Sequence, residues 1–185
     1  MTKDRQRHRA DWQPFTPQAL SRVPLAVRSW VKLTSSMTKR LERVTGKPIS
    51  VTVCRDAPGS LERSEQSFLK TENFSGQVRE VVLSADGVEF MVARTVFVSR
   101  RLRRAETLRA LGCRPLGALL FSRGHAKWRR RDFTRLTPRL PIWRCVQANV
   151  PGSPKGAWAR RTLYLLYGAP ICVTEVMLSS LLRRL

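Results

Sequence analysis

The sequence predicts an α+β fold, an antiparallel β-sheet with helices packed against it, and three observations carry that expectation. Asp86-Gly87 separates two β-rich runs, Val78–Ala85 and Val88–Thr95. A two-residue hairpin loop needs φ > 0 at both positions, and Asp-Gly is among the pairs that best supply it. The chain closes on the same pattern, with Arg161–Tyr167, a turn expected at Gly168-Ala169, and Pro170–Leu178. Between the hairpins lie segments with helix punctuation, namely Ser35-Ser36, Gly46, Gly112 and Pro115. Hairpins interspersed with helices give an antiparallel sheet rather than a βαβ array.

The elements follow in order. Residues 1–15 are polar and expected to be flexible. Helical structure is expected after Pro17, with Leu20, Val23, Leu25, Val27, Trp30 and Val31 on its apolar side. Ser36 is placed to cap a helix from Met37 through Leu41 and Val44, and Gly46 to stop it in a left-handed conformation. Ile49–Cys54 alternates apolar and polar and reads as a half-buried strand. Residues 55–76 are polar, contain Pro58, Gly59 and Gly76, and read as a long loop. After the first hairpin, a helix is expected from about Arg104 to Leu111, ended by Gly112. Pro115 suits the start of another over Leu116–Phe121. Residues 137–157 hold four prolines and two glycines and are expected to be an irregular insertion.

At 185 residues the chain suits one well-packed domain, and no run approaches the roughly 20 apolar residues of a membrane-crossing helix. Cys54, Cys113, Cys145 and Cys172 show no C-x-x-C spacing, which favours reduced thiols in a cytoplasmic protein. With only two histidines, no metal site or histidine-dependent triad is expected. The charge is extreme, 35 Lys+Arg against 13 Asp+Glu, for a net of +22. Residues 99–135 hold twelve basic and two acidic side chains, with runs at Arg100–Arg104 and Arg129–Arg131. Such charge suits nucleic acid or an anionic surface. The runs lack the interleaved aromatics of a single-strand platform, however, and no nucleic-acid-binding motif accompanies them.

The residues placed for chemistry lie on the hairpins. With the loop at Asp86-Gly87, Leu83 pairs with Phe90, Val81 with Val92 and Arg79 with Arg94, so all six share one face. Two guanidiniums on a largely apolar face need compensation, either from internal carboxylates or from a bound anion. A register slip would instead leave one arginine in solvent. Glu175 lies in a nearly continuous apolar strand, on the face of Ile171, Val173 and Met177. A carboxylate there either pairs with a cation or has its pKa raised. Met37 and Leu116 sit in first helical turns, where unpaired N–H groups favour anions.

The chain resembles the chorismate pyruvate-lyase family. The likeness rests on Ser36-Met37-Thr38-Lys39-Arg40, Val51-Thr52, Arg79-Glu80, Ala85-Asp86-Gly87 and Arg94-Thr95-Val96. It continues through Leu111-Gly112, Pro115-Leu116-Gly117, Leu120-Phe121, Arg131-Asp132-Phe133, Trp158, Arg160-Arg161 and Thr174-Glu175. The resemblance implies a single chorismate-lyase-like domain over residues 1–185 with an internal ligand cavity. It implies a lyase without cofactor or metal that converts chorismate to 4-hydroxybenzoate and pyruvate for ubiquinone synthesis. In that reading Arg79 and the backbone amides of Met37 and Leu116 hold the ring carboxylate, and Glu175 meets the ring hydroxyl. Arg94 serves either the enolpyruvyl carboxylate or the support of Arg79. A cytoplasmic monomer is expected, binding nucleic acid only non-specifically. The alternatives are a non-catalytic aromatic-acid sensor module, since the same fold resembles sensor domains of bacterial transcription regulators, and a basic nucleic-acid-binding protein.

Overall fold

The computed structural model describes residues 12–98, 108, 110–121, 126–138, 140–150, 152 and 156–184, and among them seven antiparallel strands form one sheet. The strands are β1 (Gln13–Pro14), β2 (Ser50–Ser60), β3 (Ser75–Ala85), β4 (Val88–Phe97), β5 (Ala126–Arg135), β6 (Trp158–Leu166) and β7 (Ala169–Met177). They lie side by side in the order β1-β5-β6-β7-β4-β3-β2. The helices are α1 (Pro17–Ser21), α2 (Leu25–Val31), α3 (Met37–Thr45), α4 (Arg63–Leu69), α5 (Leu116–Leu120), α6 (Pro141–Asn149) and α7 (Ser179–Leu182). Both hairpins form. Asp86 and Gly87 take φ of 49° and 74°, and Tyr167 and Gly168 take 50° and 85°, as two-residue hairpin loops require.

Helices cover both faces of the sheet. On one, α2, α3 and α7 bury Val27, Trp30, Val31, Met37, Leu41 and Leu181 against Leu83, Met91, Phe133 and Met177. Leu120 of α5 packs on the same face, with Phe97, Tyr164, Ile171 and Val173. On the reverse face α6 sits over Val82, Val92, Ala159 and Val176, and α4 over Val78, Val96 and Cys172. α3 forms as expected: the Ser36 hydroxyl accepts from the Lys39 N–H, and Gly46 ends the helix at φ 68°.

Three of these expectations need correction. Residues 55–76 are no loop: β2 runs on to Ser60 and α4 follows. An edge strand needs no continuous apolar pattern, which hid the first. The second is started by a capping box between Glu62 and Glu65, an acidic variant of the usual signal. Residues 137–157 contain α6, for which Pro141 supplies the first turn. Gln13 and Pro14, expected to be flexible, pair with Phe133 and Asp132, while residues 1–11 lie outside the described residues. The helix expected over Arg104–Leu111 also lies mostly outside them.

Candidate functional site

The first hairpin carries the correction that matters most for the site. Ala85 pairs with Val88 and Ser84 with Glu89, but then Leu83 pairs with Met91. Phe90 is an extra residue, a β-bulge, and every pair beyond it is offset by one. Arg79 therefore faces Thr95, and Arg94 faces Glu80. The two arginines lie on opposite faces of the sheet, and both are buried. Arg94 takes no part in the pocket described below.

On the reverse face, Arg94 donates from Nε to Glu65 Oε1 at 2.7 Å and from Nη1 to Glu80 Oε1 at 2.6 Å. Its Nη2 donates to Glu65 Oε2 at 3.2 Å and to the Ser60 carbonyl at 3.2 Å. Burial opposes the charge, but the two carboxylates outweigh it and push the Arg94 pKa higher still. Arg161 on the same face donates to Asp132 Oδ2 through Nη2 at 2.8 Å and Nε at 3.2 Å. It lies between the rings of Phe68 and Trp12, with its guanidinium carbon 4.2 and 4.5 Å from their centroids.

The other face contains a partly open pocket with about 630 Å³ of atom-free space, solvent at its mouth included. Arg79, Glu175, Met37 and Leu116 all line it, so four of the five residues singled out from sequence meet there. Val81, Leu83, Met91, Ala93 and Val173 give it an apolar floor. Arg79 donates from Nη1 to Asp56 Oδ2 at 2.9 Å and from Nη2 to the Gly112 carbonyl at 2.6 Å. Gln77 Nε2 donates to the other oxygen of Asp56 at 2.7 Å, fixing that carboxylate. A guanidinium has five N–H donors, so these contacts hold the fork in place and leave capacity for a ligand.

Two helix starts border the same space. A Cβ on Gly117 would lie 2.8 Å from Ser36 Oγ, so the start of α5 approaches the cap of α3 as closely as it does because residue 117 has no side chain. First-turn N–H groups have no acceptor within their own helix, and those of Met37 and Leu116 belong to residues lining the pocket.

Glu175 resolves its alternatives by pairing. Arg160 Nε donates to Glu175 Oε2 at 2.6 Å, while Arg160 Nη1 donates to the Leu33 and Trp30 carbonyls at 2.7 and 3.1 Å. A side chain from β6 thus ties Glu175 to the chain leaving α2. Arg160 was absent from the sequence-derived site, although the hairpin contains the signal. With the turn at Tyr167-Gly168, Arg160 pairs with Glu175; placed at Gly168-Ala169, the same arithmetic pairs Glu175 with Thr162. Tyr164, Thr95, Ser36 and Thr38 also line the pocket and were likewise not singled out.

The comparisons with known proteins agree with one another. The sequence profile described as chorismate lyase matches residues 6–184. A protein named probable chorismate pyruvate-lyase from Dechloromonas aromatica (strain RCB) is 36% identical over 156 residues, which cover 84% of this chain and 88% of that protein. A chorismate pyruvate-lyase from Salmonella arizonae is 34% identical and covers 83% of each chain. A probable chorismate pyruvate-lyase from Nitrosospira multiformis is 32% identical, over 94% of this chain and 95% of its own. Among solved structures, PhnF from Mycobacterium smegmatis matches with a TM-score of 0.59 at 16% identity, over 80% of this chain and 66% of that one. Its effector domain matches at 0.52 and 11% identity, over 79% and 90%. These two share the fold.

Proposed function

The chain belongs to the chorismate lyase family, and from that premise we propose that it removes pyruvate from chorismate to leave 4-hydroxybenzoate, the aromatic precursor used in ubiquinone synthesis. One observation carries the assignment of residues: Arg79, Met37, Leu116 and Glu175 line a single pocket. Arg79 and the first-turn amides of Met37 and Leu116 take the ring carboxylate. Glu175, held by Arg160, accepts from the ring hydroxyl.

The chemistry asks little beyond this. The C–O bond to the enolpyruvyl group breaks with its electron pair going to the departing oxygen. The proton on the hydroxyl-bearing carbon is lost, and the enolpyruvate takes up a proton to become pyruvate. Aromatisation drives the change, so positioning and charge neutralisation supply most of the catalysis, with Glu175 the group placed to move the proton. The apolar floor fits the flat ring.

We further propose one domain spanning the chain, acting as a cytoplasmic monomer, with nucleic acid bound only non-specifically at low salt. No helix among the described residues is long and apolar enough to cross a membrane. The likeness to the PhnF effector domain supports a second reading, a sensor that binds an aromatic acid without turning it over. Incubating the purified protein with chorismate in EDTA, and following both products by chromatography, decides between them. The lyase yields 4-hydroxybenzoate and pyruvate in equal amounts. No 4-hydroxybenzoate above the spontaneous background, with tight binding of that acid, would reverse the order.

A further inference from the structure

Chorismate carries two carboxylates, and Arg94, once a candidate for the second, lies on the far side of the sheet. The pocket face has another cation. Arg131 of β5 pairs with Thr162 of β6, which lies in one row with Val173, Thr95 and Arg79 across β7, β4 and β3. The two arginines thus lie in a single row, four strand spacings or about 19 Å apart at Cα.

Arg131 is buried, and among the described residues it forms no ion pair with a carboxylate. Its Nε donates to Thr162 Oγ1 at 3.1 Å and its Nη1 to the Val31 carbonyl at 3.3 Å. It does not line the pocket itself. Its neighbour Tyr164 does, from the same face of β6 as Arg160 and close enough to feel the charge of Arg131. A protonated phenol can donate its hydrogen to a carboxylate. The Tyr164 ring is held edge-on by Phe121, with centroids 6.3 Å apart. Burial raises the Tyr164 pKa, which keeps the hydroxyl protonated and able to donate.

We infer that the Tyr164 hydroxyl, backed by the charge of Arg131, binds the carboxylate of the enolpyruvyl group, and that this pair distinguishes substrate from product. The inference rests on the lyase reading. Tyr164 touches the substrate, and Arg131 is a positioning residue acting through it. The product retains only the ring carboxylate and leaves this subsite empty, so the two ligands should respond differently to its loss.

The test compares both ligands in wild type, Tyr164→Phe and Arg131→Lys. Tyr164→Phe keeps the ring and its contact with Phe121, so folding is preserved. A hydrogen bond to a charged group is lost, and kcat/KM for chorismate should fall about 10- to 100-fold. The Kd for 4-hydroxybenzoate, measured by calorimetry, should stay within about twofold. Arg131→Lys keeps the charge and should lie between wild type and Tyr164→Phe. An unchanged kcat/KM in Tyr164→Phe, or a product Kd that weakens in step with it, overturns the subsite while the lyase reading stands. A wild type that forms no 4-hydroxybenzoate overturns both.

Discussion

The two faces of this sheet both bury arginines, but they neutralise them differently. On the reverse face Arg94 lies between Glu65 and Glu80, and Arg161 lies on Asp132, which also receives exposed Arg130. Three carboxylates there meet two buried guanidiniums and part of a third. On the pocket face Arg79, Arg131 and Arg160 meet only Asp56 and Glu175 among the described sheet residues. One face closes its charge balance internally and the other keeps a surplus guanidinium beside an open volume. Burying an unbalanced cation is costly, and a structure that does so around a cavity has room for an anion to complete it. The difference separates an arginine that holds the fold from one that serves a ligand.

The largest expected effect breaks the closed face. Arg94→Ala leaves Glu65 and Glu80 buried without their cation, which should cost about 3–5 kcal/mol. For a chain of this size that lowers Tm by roughly 6–20 °C. Activity per folded molecule should remain close to wild type, because Arg94 does not line the pocket. Thermal unfolding with kinetics normalised to folded protein checks both halves. A loss of kcat/KM at full folding would show that the faces are not separate in function.

Arg79→Ala is the matching change on the pocket face. Removing a buried, charge-assisted contact to the ring carboxylate should cost about 2–4 kcal/mol of transition-state binding, on the order of 30- to 1000-fold in kcat/KM. Product affinity should weaken as well, unlike the pattern expected at Tyr164. Exposed Arg129→Ala is the control and should change neither. Equal kinetics in Arg79→Ala and Arg129→Ala would mean that the carboxylate is held elsewhere.

Glu175→Gln sharpens the comparison within the pocket face. Glutamine keeps the shape and a hydrogen-bonding oxygen, so the Kd for 4-hydroxybenzoate should change little. If Glu175 moves the proton, the single-turnover rate falls about 100-fold, the lower end of what a positioned acid–base group contributes. Single-turnover kinetics are needed because release of a bound product can limit steady-state turnover. An unchanged single-turnover rate would leave Glu175 as a binding residue.

The sequence exposed the two hairpins and α3 because their signals are local, an Asp-Gly loop and a serine cap. The pocket was legible at Arg79, Met37, Leu116 and Glu175, through strand alternation, first helical turns and family motifs. The division between the faces was not. It depends on one extra residue, Phe90, in the first hairpin. Side chains alternate with a period of two, so that one residue moves the whole set beyond it to the opposite face, which is how Arg94 was assigned to the pocket. Moving the second turn by one residue shifts its pairing by two and keeps the face, so the expected turn sets Thr162 rather than Arg160 opposite Glu175. α4 and the second half of β2 were hidden for another reason: an edge strand and an acidic capping box look like polar loop.

The smallest effect expected is a chemical silence that reports how tightly the reverse face is closed. Cys172 alternates with Ile171 and Val173 along β7, so it faces away from the pocket toward Val78, Val96 and Phe68. Cys145 of α6 lies on the same side. Burial pushes both thiols up to about 12. At pH 8 about one in ten thousand of such groups is the reactive thiolate. Cys54 and Cys113 are exposed. Iodoacetamide at pH 8 should therefore modify two of the four cysteines in the native protein, and all four in guanidinium chloride, as mass spectrometry would count. Adding 4-hydroxybenzoate should leave Cys145 and Cys172 as unreactive as before, because the ligand fills the opposite side of the sheet. Native labelling of Cys172 at the rate of Cys54 would mean that the reverse face opens. Its balanced arginines would then be no more permanently enclosed than those of the pocket.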